Sequence, residues 1–437
     1  MLRILSRPAT RLMERWLPDA FIFVIVLTLV AMLAAIGIQG TRPDELIRIW
    51  GDGMWGLLSF SMQMLLVLVT GYILASSPPV KRLLRALAGR AGSAGAAILM
   101  VTLVSLLASW INWGFGLVVG AIFARELARQ VRVDYRLLVA SAYSGFVIWH
   151  GGLSGSIPLT VATPDHFTAG IIGVIPTGET IFAGWNLLIC AALVVAIPIA
   201  NLMMMPPRDE TVLVDPAKLG DDTPIPPLPA DATPAQRMEH SRLLMWAIGI
   251  PGLVWLVMYA ASGGGINLNV VNFGFLFLGL VLHGTARSLL AALDDAVKGG
   301  AGIVIQFPFY AGIMAIMTGT GLAATMSEWF VAISTDRTLP FWSFISAGII
   351  NIFIPSGGGQ WAVQAPIMLP AAQELGADMS KVVMGVAWGD AWTNLLQPFW
   401  ALPMLGIAGL KPRDIMGYCV VVLLISGLII GGILWVI

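Results

Sequence analysis

Pro355-Ser356-Gly357-Gly358-Gly359-Gln360 stands inside Thr338–Gln373, a run of 36 residues with no charged side chain. One membrane span needs about 20 apolar residues, and two spans with a turn need about 40. This run fits neither, and its middle is made of helix breakers and polar side chains. The spacing predicts a re-entrant hairpin, in which the chain enters the membrane, turns near mid-depth and leaves on the same side. Irregular backbone at that depth is tolerated only where protein buries it or where it lines a cavity. The competing reading is a pair of short, tilted helices. Ala91–Ala124 repeats the pattern over 34 residues, with Asn112-Trp113-Gly114-Phe115-Gly116 as its turn.

The rest of the chain agrees with a membrane setting. Of 437 residues, 58% are hydrophobic and only 11% are charged, against about 25% charged in an ordinary soluble domain. Too few charges remain to clothe a soluble surface, so a water-soluble enzyme is excluded and no enzymatic role is expected. Lys+Arg and Asp+Glu both number 24, and this balance excludes a nucleic-acid footprint. Cys190 and Cys419 stand apart in apolar runs, without metal or disulfide spacing. Single spans are predicted in Ala20–Thr41, Gly53–Val80, Leu137–Pro164, Thr180–Pro207, Gly299–Ser327, Met384–Leu410 and Ile415–Ile437. Leu243–Ala286 divides into two helices at Gly263-Gly264-Gly265. Pro308 is expected to interrupt its span. The basic N-terminus before Ala20 resembles a signal peptide, but it is read as leading into a retained first helix.

Basic residues orient the chain. With a cytoplasmic N-terminus, 20 of the 24 Lys and Arg fall inside, among them Arg3, Arg7, Arg11 and Arg15. Only Arg42, Arg48, Arg337 and Lys381 fall outside. The positive-inside rule favours this arrangement and puts the C-terminus in the periplasm. The layout also contains a duplication. Residues 1–205 carry helices, a hairpin at about 91–124 and a broken helix at about 137–164. Residues 263–437 carry a hairpin at about 338–373 and a broken helix at about 382–405. Between them lie a Pro- and Asp-rich linker, 206–241, expected to be extended or disordered in the cytoplasm, and one connecting helix, 242–262. An odd number of crossings precedes the second repeat, which is therefore inverted. Arg287–Lys298 is expected to lie on the inner surface as an amphipathic helix. The fold class expected is thus an all-α polytopic membrane protein of two inverted repeats plus one connecting helix. Such repeats mark secondary transporters with a midplane site.

The candidate chemistry lies at the hairpin tips and broken helices. Half-helices ending inside a membrane present unpaired carbonyls to cations and unpaired N–H groups to carboxylates. At the tips, Asn112, Gly114, Gly116, Ser356, Gly357, Gly358, Gly359 and Gln360 are candidate substrate ligands. Ser144, Ser154, Ser156, Thr393 and Asn394 on the broken helices complete the expected polar lining. Asp390 is the acidic residue of the proposed membrane core, and with Asn112 and Asn394 it is the candidate for ion coupling, to H+ or Na+. Its plainer role is a hydrogen-bonded structural carboxylate. His150 reads as a structural or pocket histidine rather than a proton relay. Glycines and Asn at one tip alone would read as helix packing, but two matching tips favour a site. Trp361, Trp388, Trp392 and Trp400 would suit a small anion with an apolar tail. No P-loop, nucleophile elbow or metal cluster is legible, and no cofactor is expected.

Several long strings are similar to the bacterial short-chain fatty acid transporter family. They are RWLPDAFIF (Arg15–Phe23), WGDGMWGLL (Trp50–Leu58), INWGFGLVVGAIFARE (Ile111–Glu126) and GGLSGSIPL (Gly151–Leu159), followed by QFPFYAGI (Gln306–Ile313), IPSGGGQW (Ile354–Trp361) and QPFWALPMLGIAGL (Gln397–Leu410). The resemblance spans nearly the whole chain except the linker. It implies uptake of butyrate- or acetoacetate-like monocarboxylates across the bacterial inner membrane by an ion-coupled carrier with a moving hairpin core. A dicarboxylate or gluconate-like carrier, a Na+/H+ exchanger and a passive anion channel remain alternatives. The acid's chain length, the coupling ion and the oligomeric state, a homodimer included, stay open.

Overall fold

A single extended residue, Asn112, separates helix Ala94–Ile111 from helix Trp113–Gln130 in the computed structural model, which describes residues 20–215, 219, 228–352, 354 and 356–437. The chain reverses there. Gly116 packs on Ser109, with a Cβ at Gly116 falling 2.6 Å from Ser109 Cα, and Gly120 packs on Ser105 one turn further out. The Gly116-x-x-x-Gly120 spacing lets the two backbones approach closely. In the second hairpin, helix Leu339–Asn351 returns as Gly357–Leu375. The Gln360 side-chain amide donates to Ala347 O at 2.8 Å, and the Gln364 amide donates to Ser346 Oγ at 3.1 Å. Phe353 and Pro355 lie outside the described residues.

Each hairpin runs into a broken helix that starts with an aspartate cap. Asp134 accepts from the Leu137 N–H, and Asp378 accepts from the N–H groups of Ser380 and Lys381, each satisfying otherwise orphaned donors. The first broken helix is Tyr135–Ser144, a 3-10 stretch Gly145–Gly151, a turn, then Ser156–Val161. The second is Met379–Thr393, a 3-10 turn Asn394–Leu396, then Pro398–Ala408. Pro398 forces Gln397 out of the helical region (φ −95°, ψ 125°).

The two halves share one order of elements. The first has Ala20–Gln39, Pro43–Gly53, Leu58–Ser76, Pro78–Ala88, the hairpin, the broken helix and Gly184–Met203. The second has Leu268–His283, Ala286–Lys298, Ala301–Gly319, Leu322–Ile333, the hairpin, the broken helix and Pro412–Val436. Arg242–Ala261 lies between the halves. One equivalent pair packs antiparallel. Along the Leu58–Ser76 and Ala301–Gly319 pair, Phe60 meets Phe307 (centroids 5.8 Å), Leu65 meets Gly300 and Leu68 meets Gly299. The halves also exchange partners. Ala20–Gln39 packs on Ala301–Gly319 through Phe21 and Phe309 (5.4 Å). Leu268–His283 packs on Leu58–Ser76, where His283 Nε2 lies 2.7 Å from Ile73 O.

Seven helices among the described residues are long and apolar enough to cross a membrane, and no strand occurs among those residues. Large apolar side chains such as Leu33, Val195, Leu243, Val257 and Leu428 point outward, as a lipid-facing surface requires. The structure corrects three readings. Ala301–Gly319 passes through Pro308 without interruption. Pro43–Gly53, Pro78–Ala88 and Leu322–Ile333 are short helices that charge-free runs alone do not mark. The linker is only partly extended, because Thr233 and Gln236 form a capping box for helix Pro234–Glu239. Val212 is also pinned to the body by bonds to Tyr135 N and Asp134 Oδ2, both 2.9 Å. The basic set at 3–15, and linker residues 216–218 and 220–227, lie outside the described residues.

Candidate functional site

Both tips abut the same helix, Leu58–Ser76, the first near its centre and the second in its first two turns. Asn112 Nδ2 donates to Val67 O at 3.3 Å, while Gly114 packs against Leu68. Three to eight residues earlier, toward the start of that helix, Gly358 packs against Phe60 and Met64. The first tip is organised by side-chain acceptors. Asn112 Oδ1 accepts from Phe115 N–H and Ser154 Oγ accepts from Trp113 N–H, both at 2.8 Å. Ser154 belongs to the turn of the first broken helix, and its neighbour Leu153 donates its N–H to Trp110 O at 2.7 Å. The turn and the tip are therefore in direct contact. Removing the Ser154 hydroxyl would leave the buried Trp113 N–H unpaired, a loss of about 1–3 kcal/mol. Ser154→Ala is expected to lower the thermal midpoint of the purified protein in scanning fluorimetry.

The second tip is held by amides. Asn351 Nδ2 donates to Asp390 O at 2.7 Å and to Thr393 Oγ1 at 3.0 Å. The Gln397 amide donates to Asn351 O. Ser356 Oγ caps the returning helix by accepting from Gly359 N–H at 3.3 Å. These donations fix the amide orientations, so the oxygens Asn351 Oδ1, Gln360 Oε1 and Gln397 Oε1 are identified. They lie buried without a hydrogen-bond donor, as does Asp390 Oδ1. Such a concentration of buried acceptors is rare in a core.

The two broken helices cross beside this tip. His150 Nδ1 lies 3.1 Å from Asp390 Oδ2, and neither side chain has any solvent exposure. Trp149 Nε1 donates to Asn394 Oδ1 at 3.2 Å, and the Tyr143 hydroxyl donates to Asn394 O at 2.7 Å. Asn186 ties the same crossing by donating to Gly151 O and accepting from Trp388 Nε1. Gly357 leaves no room for a side chain beside the His150 ring. An aromatic wall runs alongside. Phe146 and Trp149 stack at 5.6 Å, and Trp113 meets Trp400 edge-on at 5.1 Å.

The predicted residues thus divide by position. Asn112, Gly114 and Ser154 gather at the first tip. Ser356, Gly357, Gly358, Gly359, Gln360, Asp390, Thr393 and Asn394 gather at the second. Ser156 begins the helix beyond the first break and accepts the Thr160 hydroxyl on its carbonyl. Gly116 lies one turn inside the hairpin, closing it on Ser109. Ser144 is not brought to the tips; it faces Asn201, whose amide it accepts at 2.9 Å. Asn186 and Asn351 escaped the sequence reading, although a lone amide in an apolar run is the signal that marks both, and Gln397 is part of the second break without being a candidate ligand.

A shell of lipid-facing helices around two hairpin tips and a buried polar crossing defines a multi-pass membrane transport protein. The sequence matches the short chain fatty acid transporter family over residues 1–437, and the chain belongs to that family. It is 48% identical over 432 residues to the Escherichia coli K12 protein named "Putative short-chain fatty acid transporter", with 98% of each chain covered. A Haemophilus influenzae protein of the same name is 43% identical over 436 residues, again covering 98% of each. The fold is similar to that of the YdaH transporter of Alcanivorax borkumensis, with a TM-score of 0.59 at 17% identity over 95% of this chain and 98% of that one. MtrF of Neisseria gonorrhoeae, from a class of antimetabolite efflux pumps, aligns with a TM-score of 0.52 at 15% identity over 98% and 97% of the two chains. The relatives carry the names of transporters, which are not enzymes.

Proposed function

We propose that this protein is a secondary active carrier of short-chain monocarboxylates such as butyrate or acetoacetate across the bacterial inner membrane, coupled to H+ or Na+. The observation that carries the reading is the meeting of two hairpin tips from the two halves along one membrane-length helix, within about two turns of each other. The first N–H groups of the helix at Gly357 and Gly358 supply donors suited to a carboxylate. The aromatic wall of Phe146, Trp149, Trp113 and Trp400 suits a short apolar tail. Asp390, with Oδ1 free of any hydrogen-bond donor, holds the coupling ion. The hairpins are re-entrant, and alternating access moves the hairpin core past the outer helices. No Lys or Arg falls within Ala91–Ala124 or Thr338–Gln373 to match a second substrate charge. Counterflow of labelled butyrate in proteoliposomes tests the substrate class. Unlabelled butyrate and acetoacetate are expected to compete, and succinate and gluconate are not; the reverse order would refute the reading.

The orientation follows from the basic residues and an odd number of crossings. A phosphatase reporter fused after Ile437 is expected to be active in the periplasm, and one inserted near Thr223 inactive. An inactive C-terminal fusion with intact protein would overturn this orientation and the inverted-repeat reading.

A further inference from the structure

His150 and Asp390 come from opposite halves of the chain and meet at 3.1 Å in a fully buried crossing. The Ile157 N–H is directed at His150 Nε2, at 3.4 Å. That nitrogen therefore offers its lone pair, and the proton of a neutral imidazole sits on Nδ1, toward Asp390. The ring stacks on Trp149 with centroids 3.7 Å apart, and its Cε1 edge is pressed by Gly357 of the second tip. Packing thus holds the imidazole in place from both sides.

The charge balance of this pair depends on one proton. A neutral imidazole beside an ionised carboxylate is a net negative charge in a dry core, which is costly without compensation. One further proton, shared over the pair, makes it neutral overall. The other titratable groups at the crossing are Tyr310, Tyr143, Cys190 and Cys419, all phenols or thiols that are neutral at pH 7 when unperturbed. The charged residues of the packed elements, Arg125, Glu126, Arg129, Arg136, Glu374, Lys381, Arg413 and Asp414, lie at the outer ends of their helices. A proton on Nδ1, 3.1 Å from Oδ2, also disfavours a metal cation at that oxygen.

We infer that the coupling ion is the proton, and that His150 and Asp390 together form its site. The pair takes a proton from water on one side of the membrane, and an N–H or O–H bond forms within it. The substrate carboxylate binds at the adjacent Gly357–Gly359 tip, so that the added positive and negative charges cross together. The proton then returns to water on the other side as the anion leaves. No electron is transferred. This inference deepens the carrier reading and rests on it.

Proton uptake on substrate binding tests it without the background of passive acid permeation. Butyrate is titrated into detergent-solubilised protein at pH 7 by calorimetry, in two buffers of different ionisation enthalpy and in sodium or choline chloride. The wild type is expected to take up about one proton per butyrate in either salt. Asp390→Glu is expected to retain uptake. His150→Asn keeps a donor near the Nδ1 position but cannot titrate, and it should bind butyrate more weakly and without proton uptake. Asp390→Asn should behave likewise. Butyrate binding by wild type without proton uptake, or only in sodium, would overturn the proton site while leaving the carrier reading intact. Unchanged proton uptake in His150→Asn would remove His150 from the pair. Absence of butyrate binding by wild type would overturn both readings.

Discussion

Gly358→Val is expected to reduce labelled-butyrate uptake at least about tenfold, equivalent to a loss of roughly 1.4 kcal/mol or more. The cause is local. A Cβ at Gly358 falls 2.7 Å from Phe60 Cζ and 3.4 Å from Met64 Cγ, and valine adds two further methyl groups. The tip must then move away from the Leu58–Ser76 helix, carrying the first N–H groups of Gly357–Leu375 out of place. Protein level and monodispersity should survive, because only one turn of the hairpin is disturbed. Adding Phe60→Ala tests this cause. If the clash with Phe60 is what displaces the tip, space made there will restore part of the uptake. Full uptake in Gly358→Val alone would remove this tip from the site.

Asp390→Asn is expected to abolish accumulation against a gradient while exchange of internal for external substrate partly persists. Asn keeps the volume and the hydrogen-bonding capacity of Asp but can neither titrate nor supply a charge. The Asp390 carbonyl that receives Asn351 Nδ2 at 2.7 Å belongs to the backbone and is retained in the variant. The second tip therefore keeps its anchor while the charge is lost. Paired measurements of net uptake and counterflow on one preparation check this. A variant that still accumulates substrate would move coupling elsewhere and leave Asp390 a structural residue.

The two hairpins were legible because charge-free length and turn chemistry disagree with any whole number of spans. Asn112 and the Ser356–Gln360 string stood out for the same reason. Pro43–Gly53 and Pro78–Ala88 were hidden because each carries charges at the boundary of a charge-free run. Pro308 misled because proline removes only one N–H, and a helix buried on one face can continue through it. The pairing of His150 with Asp390 could not be read from the chain, since the two residues lie 240 positions apart. It depends on how the broken helices cross. Ser144 looked equivalent to Ser154 as a hydroxyl near a break, but helix rotation turns one toward Asn201 and the other toward the tip.

The central claim is that ion gradients drive a short-chain monocarboxylate through this protein. Its most direct test is labelled-butyrate uptake into proteoliposomes, with pH and Na+ gradients imposed separately and protein-free liposomes subtracted. An inward ion gradient is expected to drive accumulation above the protein-free level, and collapsing that gradient should release the accumulated label. Flux no greater than in protein-free liposomes, or flux indifferent to both gradients, would contradict an ion-coupled carrier.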